Sequence, residues 1–264
     1  MPNSFLKNQI ALVTGSNRGI GKQVSRALAE SGATVILGAR NLDSLDSIEL
    51  EIKTNGGECH KCELDVTNSA QVREVIDDIV TTHGKLDLLV NNAGIGLGGM
   101  LPWEQDVDEW WSVQEVNLRG VYLCSHAALG YMTSQGFGRI IDIGSLVGAS
   151  PDPRSSAYAV SKIAVQRLSS CFAAAAKEFG VSIFTISPGL VATDMTDDPY
   201  FEDIPADQWT PIEKCGELVV SLATGKADKL TGRFIHAGLH DLDELIKRTD
   251  EILEKDLLTL RVDI

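Results

Sequence analysis

Basic residues are few in this chain: 23 Lys and Arg stand against 37 Asp and Glu among 264 residues, a formal charge of -14. Such a surface repels a phosphate backbone, so nucleic acid is not an expected partner. No apolar run approaches the roughly 18 residues of a membrane span. The opening "MPNSFLKNQIALVTG" lacks the longer hydrophobic segment of a secretion signal. Cysteine is scarce and odd in number, five residues at positions 59, 62, 124, 171 and 215, which excludes a full disulfide framework. Reduced thiols and a cytoplasmic location are the expectation. "CHKC" at 59–62 has the spacing of a metal half-site, but on a strand positions i and i+3 point to opposite faces. No metal site is expected. Pro-, Gly- or Ser-rich linkers, internal repeats and low-complexity tracts are also missing. One domain over residues 1–264 is therefore expected.

What is present is a regular alternation. Short apolar segments begin at Ile10, Thr34, Glu58, Leu86, Arg139, Ser182 and Arg233, with helical stretches near 20–31, 42–54, 70–82, 107–132, 158–179 and 212–222. Strands separated by helices predict right-handed βαβ units. The expected fold class is α/β, a Rossmann-like doubly wound parallel sheet of about seven strands with helices on both faces. Such sheets bind ligands beyond the carboxyl ends of their strands, where the winding reverses.

The residues just after the strands carry the chemistry. "TGSNRGIG" follows the first strand, where Gly15 permits a tight turn, Gly19 lets backbone approach a diphosphate and Gly21 lets helix meet strand. Asn17, Arg18 and Ile20 complete this candidate cofactor loop. Its G-x-x-x-G-x-G spacing departs from G-x-G-x-x-G. At the tip of the second strand, where an acid would accept the ribose hydroxyl of NAD, stand Gly38, Ala39 and then Arg40. Arg40 with Arg18 favours a 2'-phosphate, hence NADP(H) over NAD(H). Asp65 and the Val66 backbone are candidates for the adenine edge. In "NNAG", Asn91 can stitch backbone turns together, and small Ala93 and Gly94 leave room for the cofactor. "SSAYAVSKIAV" sets Tyr158 and Lys162 four apart, on one helical face.

These motifs, with Asn117 in "EVNLRG", Ser145 in "DIGSLVG" and the segment "SPGLVATDM", resemble the short-chain dehydrogenase/reductase family across roughly residues 5–238. The resemblance implies a nicotinamide-dependent redox enzyme with a catalytic tetrad of Asn117, Ser145, Tyr158 and Lys162. It also implies that Pro188, Gly189 and Thr193 border the nicotinamide, and that the protein is a homodimer or homotetramer pairing through long helices. "SSCFAAAAKEFG" offers a small-residue surface for that pairing, or for packing within its own subunit.

Reduction of a ketone needs a hydride donor, stabilisation of the nascent alkoxide, and a proton source. A Lys ammonium about 5 Å from a phenol, at an effective dielectric near 20, would favour phenolate by roughly 3 kcal/mol, or about 2 pKa units. On this expectation Tyr158 is acid in reduction and base in oxidation, Lys162 also holds ribose hydroxyls, Ser145 orients the substrate oxygen, and Asn117 helps hold a relay water. The substrate is a small carbonyl or alcohol, partly apolar, met by Met100 and Trp103 and by a lid with Tyr200, Phe201 and Trp209; Trp110 and Trp111 either join that surface or, the favoured reading, pack their helix. The lid acids Asp197, Asp198, Glu202, Asp203 and Asp207 read as a solvated face. Residues 239–264 are expected to add an amphipathic helix with a stripe of Leu242, Leu245, Ile246, Ile252 and Leu253. Alternatives are a non-catalytic NADPH-sensing protein, and an epimerase or dehydratase on the same scaffold.

Overall fold

Apolar strands that bury both faces cannot stand alone, and here seven of them pair side by side. The computed structural model describes residues 5–96, 98–197 and 201–262, so Asp198 and Tyr200 lie outside the described residues. The strands are β1 (Ile10–Thr14), β2 (Thr34–Ala39), β3 (Glu58–Glu63), β4 (Leu88–Asn91), β5 (Gly138–Ile143), β6 (Val181–Ser187) and β7 (Phe234–His236). They form one sheet in the order β3-β2-β1-β4-β5-β6-β7, and every adjacent pair is parallel. The direction of winding reverses between β1 and β4, which opens a crevice at their carboxyl ends.

The period of two along each strand feeds two cores, one per face. Ala11 and Val13 of β1 join one apolar cluster, and Ile10 and Leu12 join the other. The first is closed by α1 (Gly19–Glu30), α2 (Asp46–Thr54) and α7 (Glu213–Ala223), through Leu28, Ile48, Ile52, Val219 and Leu222. The second is closed by α3 (Ser69–His83), α5 (Gly120–Gln135) and α6 (Ser156–Ala176), through Ile76, Ala128, Met132 and Ala173. Cys59 belongs to the first cluster and Cys62 borders the second, so the two thiols do face opposite ways. Within the small-residue stretch of α6, Ala173 and Ala176 are buried in this subunit and Ala174 and Ala175 are exposed. No described helix is long and apolar enough to cross a membrane.

Two expectations need correction. The helical run expected over 107–132 is present without a break, but it is made of α4 (Val107–Gln114), a five-residue π turn at Glu115–Arg119, and α5, so its register shifts midway. A π turn inserts a residue into the helical repeat, which propensity does not signal. The C-terminal segment is two short helices, α8 (Leu242–Lys247) and α9 (Thr249–Glu254), restarted at Arg248. The restart rotates the apolar stripe, so Leu242, Leu245 and Ile252 are buried while Leu253 is 42% exposed. Beyond α9 the chain returns to the sheet, and the Leu258 carbonyl accepts the Phe234 N–H at 2.9 Å.

Candidate active site

The crevice is a cleft of about 710 Å³ reaching from Arg40 and Asp65 at one end to Tyr158, Lys162 and Pro188 at the other. Its floor is the turn after β1. Gly15 has φ +67° and Gly19 φ +53°, left-handed values that side chains resist. A Cβ on Gly15 would lie 3.0 Å from Ala93 Cα, and one on Gly21 only 2.1 Å from the Gly15 carbonyl oxygen. Close backbone approach therefore demands glycine at both positions. No side chain caps α1 and its first turn holds no acid. Its free N–H groups and dipole thus favour an anion where Gly19 and Ile20 line the cleft. These features fit an extended ligand with a diphosphate at its middle.

A residue the motif reading passed over locks this turn. Asn92 Nδ2 donates to the carbonyl oxygens of Thr14 at 2.9 Å and Gly15 at 3.0 Å, and the Asn92 and Ala93 N–H groups donate to Thr14 Oγ1. Asn91, its neighbour, is buried and turned into the sheet, where Nδ2 donates to Ser125 Oγ at 2.9 Å and Asp142 Oδ1 at 2.7 Å. Alternation along β4 explains the split: one asparagine faces the core and the next reaches the crevice. Asn92 was adjacent in the sequence to a residue already singled out, which was its only signal.

Asn17 and Val66 line the cleft, as does exposed Arg40. Asp65 Oδ1 accepts from Thr67 N at 2.9 Å and Thr67 Oγ1 at 2.7 Å. Burial pushes its carboxyl up, but those hydrogen bonds and the charge of Arg40 outweigh it and hold it below the usual range. Arg18 also lines the cleft, with Nη1 paired at 2.7 Å to Asp194 Oδ2 on the loop after β6. Both partners are exposed, so the pair is weak and exchangeable. Thr193 lines the cleft, its Cγ2 lying 3.3 Å from where a Gly19 Cβ would stand.

At the far end, α6 places Tyr158 and Lys162 together, with Nζ 5.5 Å from the ring centroid. Lys162 is only 5% exposed and donates to the Ile143 carbonyl oxygen at 2.7 Å. Ser145 ends the β5 approach; its Oγ accepts from Val147 N at 3.2 Å and the residue hydrogen-bonds to Tyr158. Burial raises the Tyr158 phenol above its ordinary value, and the Ser145 bond draws it partly back. Burial lowers Lys162 to about 8, with Asp142 acting in the opposite sense. The expectation that Lys162 brings Tyr158 down to a working range thus meets a correction. Both groups are desolvated, and desolvation favours the neutral form of each.

Asn117 is fully buried on the π turn. Its Oδ1 accepts from Ile95 N at 2.8 Å, and Nδ2 donates to Ile95 O at 2.9 Å and Ser161 Oγ at 3.0 Å. Its amide is committed to protein partners, one of them the cleft-lining Ile95. Gly94 sits against it: a Cβ there would meet Asn117 Oδ1 at 3.2 Å. Gly21, Asn91, Asn117 and Gly189 support the cleft without forming its lining, and half-buried Ser145 stands at its edge through its bond to Tyr158. Gly189, at φ +83°, is pressed on Thr210 Oγ1, 2.1 Å from its would-be Cβ.

The aromatic residues fall mostly outside the cleft. Trp110 donates Nε1 to Ser156 Oγ at 3.1 Å and meets Trp111 edge-on at 5.0 Å, while Trp111 stays 58% exposed. Trp209 donates to the Ile204 carbonyl oxygen. Met100 and Phe201 are half-buried, Trp103 is exposed, and Asp197, Glu202, Asp203 and Asp207 are exposed. Met195, Glu115 and Arg119 line the cleft without having been anticipated.

A family model described as short chain dehydrogenase matches residues 9–201. A 3-oxoacyl-(acyl-carrier-protein) reductase of Synechocystis sp. is 34% identical over 227 residues, covering 84% of this chain and 92% of that protein. A short-chain type dehydrogenase/reductase from Mycobacterium marinum has a crystal structure similar at TM-score 0.83 and 32% identity, covering 89% of this chain and 96% of that one. A gluconate 5-dehydrogenase from Burkholderia cenocepacia, solved with NADP and tartrate, is similar at TM-score 0.82 and 31% identity, over 89% and 95% of the two chains.

Proposed function

The chain belongs to the short-chain dehydrogenase/reductase family of oxidoreductases, and from that premise we propose its reaction: hydride transfer between NADP(H) and a ketone or secondary alcohol. The observation that carries this reading is the juxtaposition of Tyr158 and Lys162 at the end of a cleft whose opposite end bears Arg40. Bound nicotinamide would supply the hydride in reduction and receive it in oxidation. The Tyr158 hydroxyl donates its proton to the carbonyl oxygen as negative charge develops there, and takes it back in oxidation. A phenol held above its ordinary value rests as the neutral acid, the form that reduction requires. The Lys162 ammonium favours the phenolate left behind, Ser145 orients the oxygen, and Asn117 holds the Ile95 wall. Asn17, Gly19, Ile20 and Thr193 would contact the cofactor along its length.

Preference for NADP(H) is supported by Arg40 and Arg18 and by the lack of an acid at the tip of β2, where Gly38 and Ala39 stand. The NADP in the gluconate 5-dehydrogenase complex points the same way. A small, partly apolar substrate is supported by exposed Leu146, Val147 and Met195 around Ser145 and the β6 loop. Residues 1–264 act as one domain, and exposed Tyr122 of α5 and Val160 of α6 suit pairing of subunits through these helices. Tyr158→Phe tests the reading in a panel of ketones and alcohols followed at the nicotinamide absorbance. Turnover should fall by about 10² to 10⁴, with NADPH affinity little changed; undiminished turnover would overturn it.

A further inference from the structure

One buried charge has no part in the chemistry above. Asp142 lies on β5, 2% exposed, one residue before the carbonyl that receives Lys162 Nζ. Its Oδ1 accepts from Asn91 Nδ2 at 2.7 Å and its Oδ2 from Ser169 Oγ at 2.5 Å. These donors come from β4 and from the same helix that carries Lys162. A sheet interior seldom holds a lone carboxylate, because an ionised group there must be matched by an opposite charge. The buried cation that reaches this part of β5 is Lys162, whose Nζ is held on the carbonyl of the very next residue, Ile143, while Ser169 of the same helix binds Asp142 itself.

We infer that Asp142 is a positioning residue for Lys162, a buried counter-charge that keeps the amine protonated beside Tyr158. The inference rests on the proposed role of Lys162. The negative charge of Asp142 opposes the burial that drives that ammonium toward neutrality. The effect is mutual, since Lys162, Ser169 and Asn91 all oppose the burial that pushes Asp142 up. The other titratable groups nearby are Tyr158 on α6, Cys124 on α5 and Cys62 on β3. Burial pushes both thiols up to about 12, so neither bears charge at neutral pH.

Hydrogen bonding alone would not call for a carboxylate here. An asparagine at 142 could accept from Asn91 through Oδ1 and donate to Ser169 Oγ through Nδ2, with Ser169 Oγ also placed 2.8 Å from the Val165 carbonyl oxygen. Asp142→Asn therefore removes charge while keeping shape and bonding.

The test follows Lys162 directly, by NMR titration of lysine-labelled protein with the resonance assigned through Lys162→Met. In D142N the Lys162 midpoint should drop by roughly one unit or more. The alkaline limb of the kcat profile should shift to lower pH with it, while NADPH affinity stays within a few-fold. Ser169→Ala supplies a second arm should D142N not fold. Losing that donor raises Asp142, so the acidic limb of kcat and the coupled step in the Lys162 titration move to higher pH. An unshifted Lys162 midpoint in D142N overturns the inference, as does an unshifted titration in S169A. Absence of turnover on every carbonyl would remove the proposed function instead, and the Lys162 titration would still judge Asp142.

Discussion

Asn117→Ala separates a scaffold role from a chemical one. The substitution deletes the acceptor of the Ile95 N–H and the donor to the Ile95 carbonyl, bonds of 2.8 and 2.9 Å, at a residue with no solvent exposure. Ser161 loses one bond but still donates to the Tyr158 carbonyl oxygen at 2.7 Å, so it is not orphaned. Each of the two Ile95 groups then costs about 1 to 2 kcal/mol. Ile95 is half-buried, so water recovers part of this, and a total near 3 kcal/mol is expected. For a domain of this size that lowers Tm by roughly 6 to 12 °C. Calorimetry of both proteins at one pH measures it, and NADPH titration should show weaker binding because Ile95 lines the cleft. A variant melting within about 1 °C of the parent, with unchanged cofactor affinity, would refute the assignment of this amide to the cleft wall.

Arg40→Asp should reduce the preference for NADPH over NADH by about 10², since a charge-assisted contact worth about 2 kcal/mol is lost and about 1 kcal/mol of repulsion is added. Arg18 keeps its own charge in the variant, so part of the preference remains; an unchanged ratio of kcat/KM for the two cofactors would refute the assignment. The pH dependence of stability should carry the mark of Asp142. Its folded carboxyl is raised to about 6 from 3.8, so the folded state holds a proton that the unfolded chain releases. That contribution is full below pH 3.8 and is lost as pH rises toward 6. The stability of the parent relative to Asp142→Asn should therefore fall by about 3 kcal/mol across that window, measured by urea denaturation at stepped pH. A constant gap would show that the carboxyl is not raised by burial.

Local spacing made much of this protein legible. Alternation of short apolar runs with amphipathic stretches required a parallel sheet, because strands apolar on both faces need helices on each side. Glycines at 15, 19 and 21 announced a tight turn into a helix, and the four-residue step from Tyr158 to Lys162 announced a shared face. All of these depend on backbone geometry within a few residues, which a sequence encodes directly. The π turn at 115–119, the restart at Arg248 and the split between Asn91 and Asn92 depend on what lies across the fold. So does the ionisation of the site. The sequence alone points to Lys162 governing Tyr158 through charge; in the folded protein burial governs both, and Asp142, 20 residues before Lys162 in the chain, opposes it at the ammonium. Spacing along the chain sets which side chains share a face, whereas desolvation and long-range pairing arise only once β4, β5 and α6 close around them.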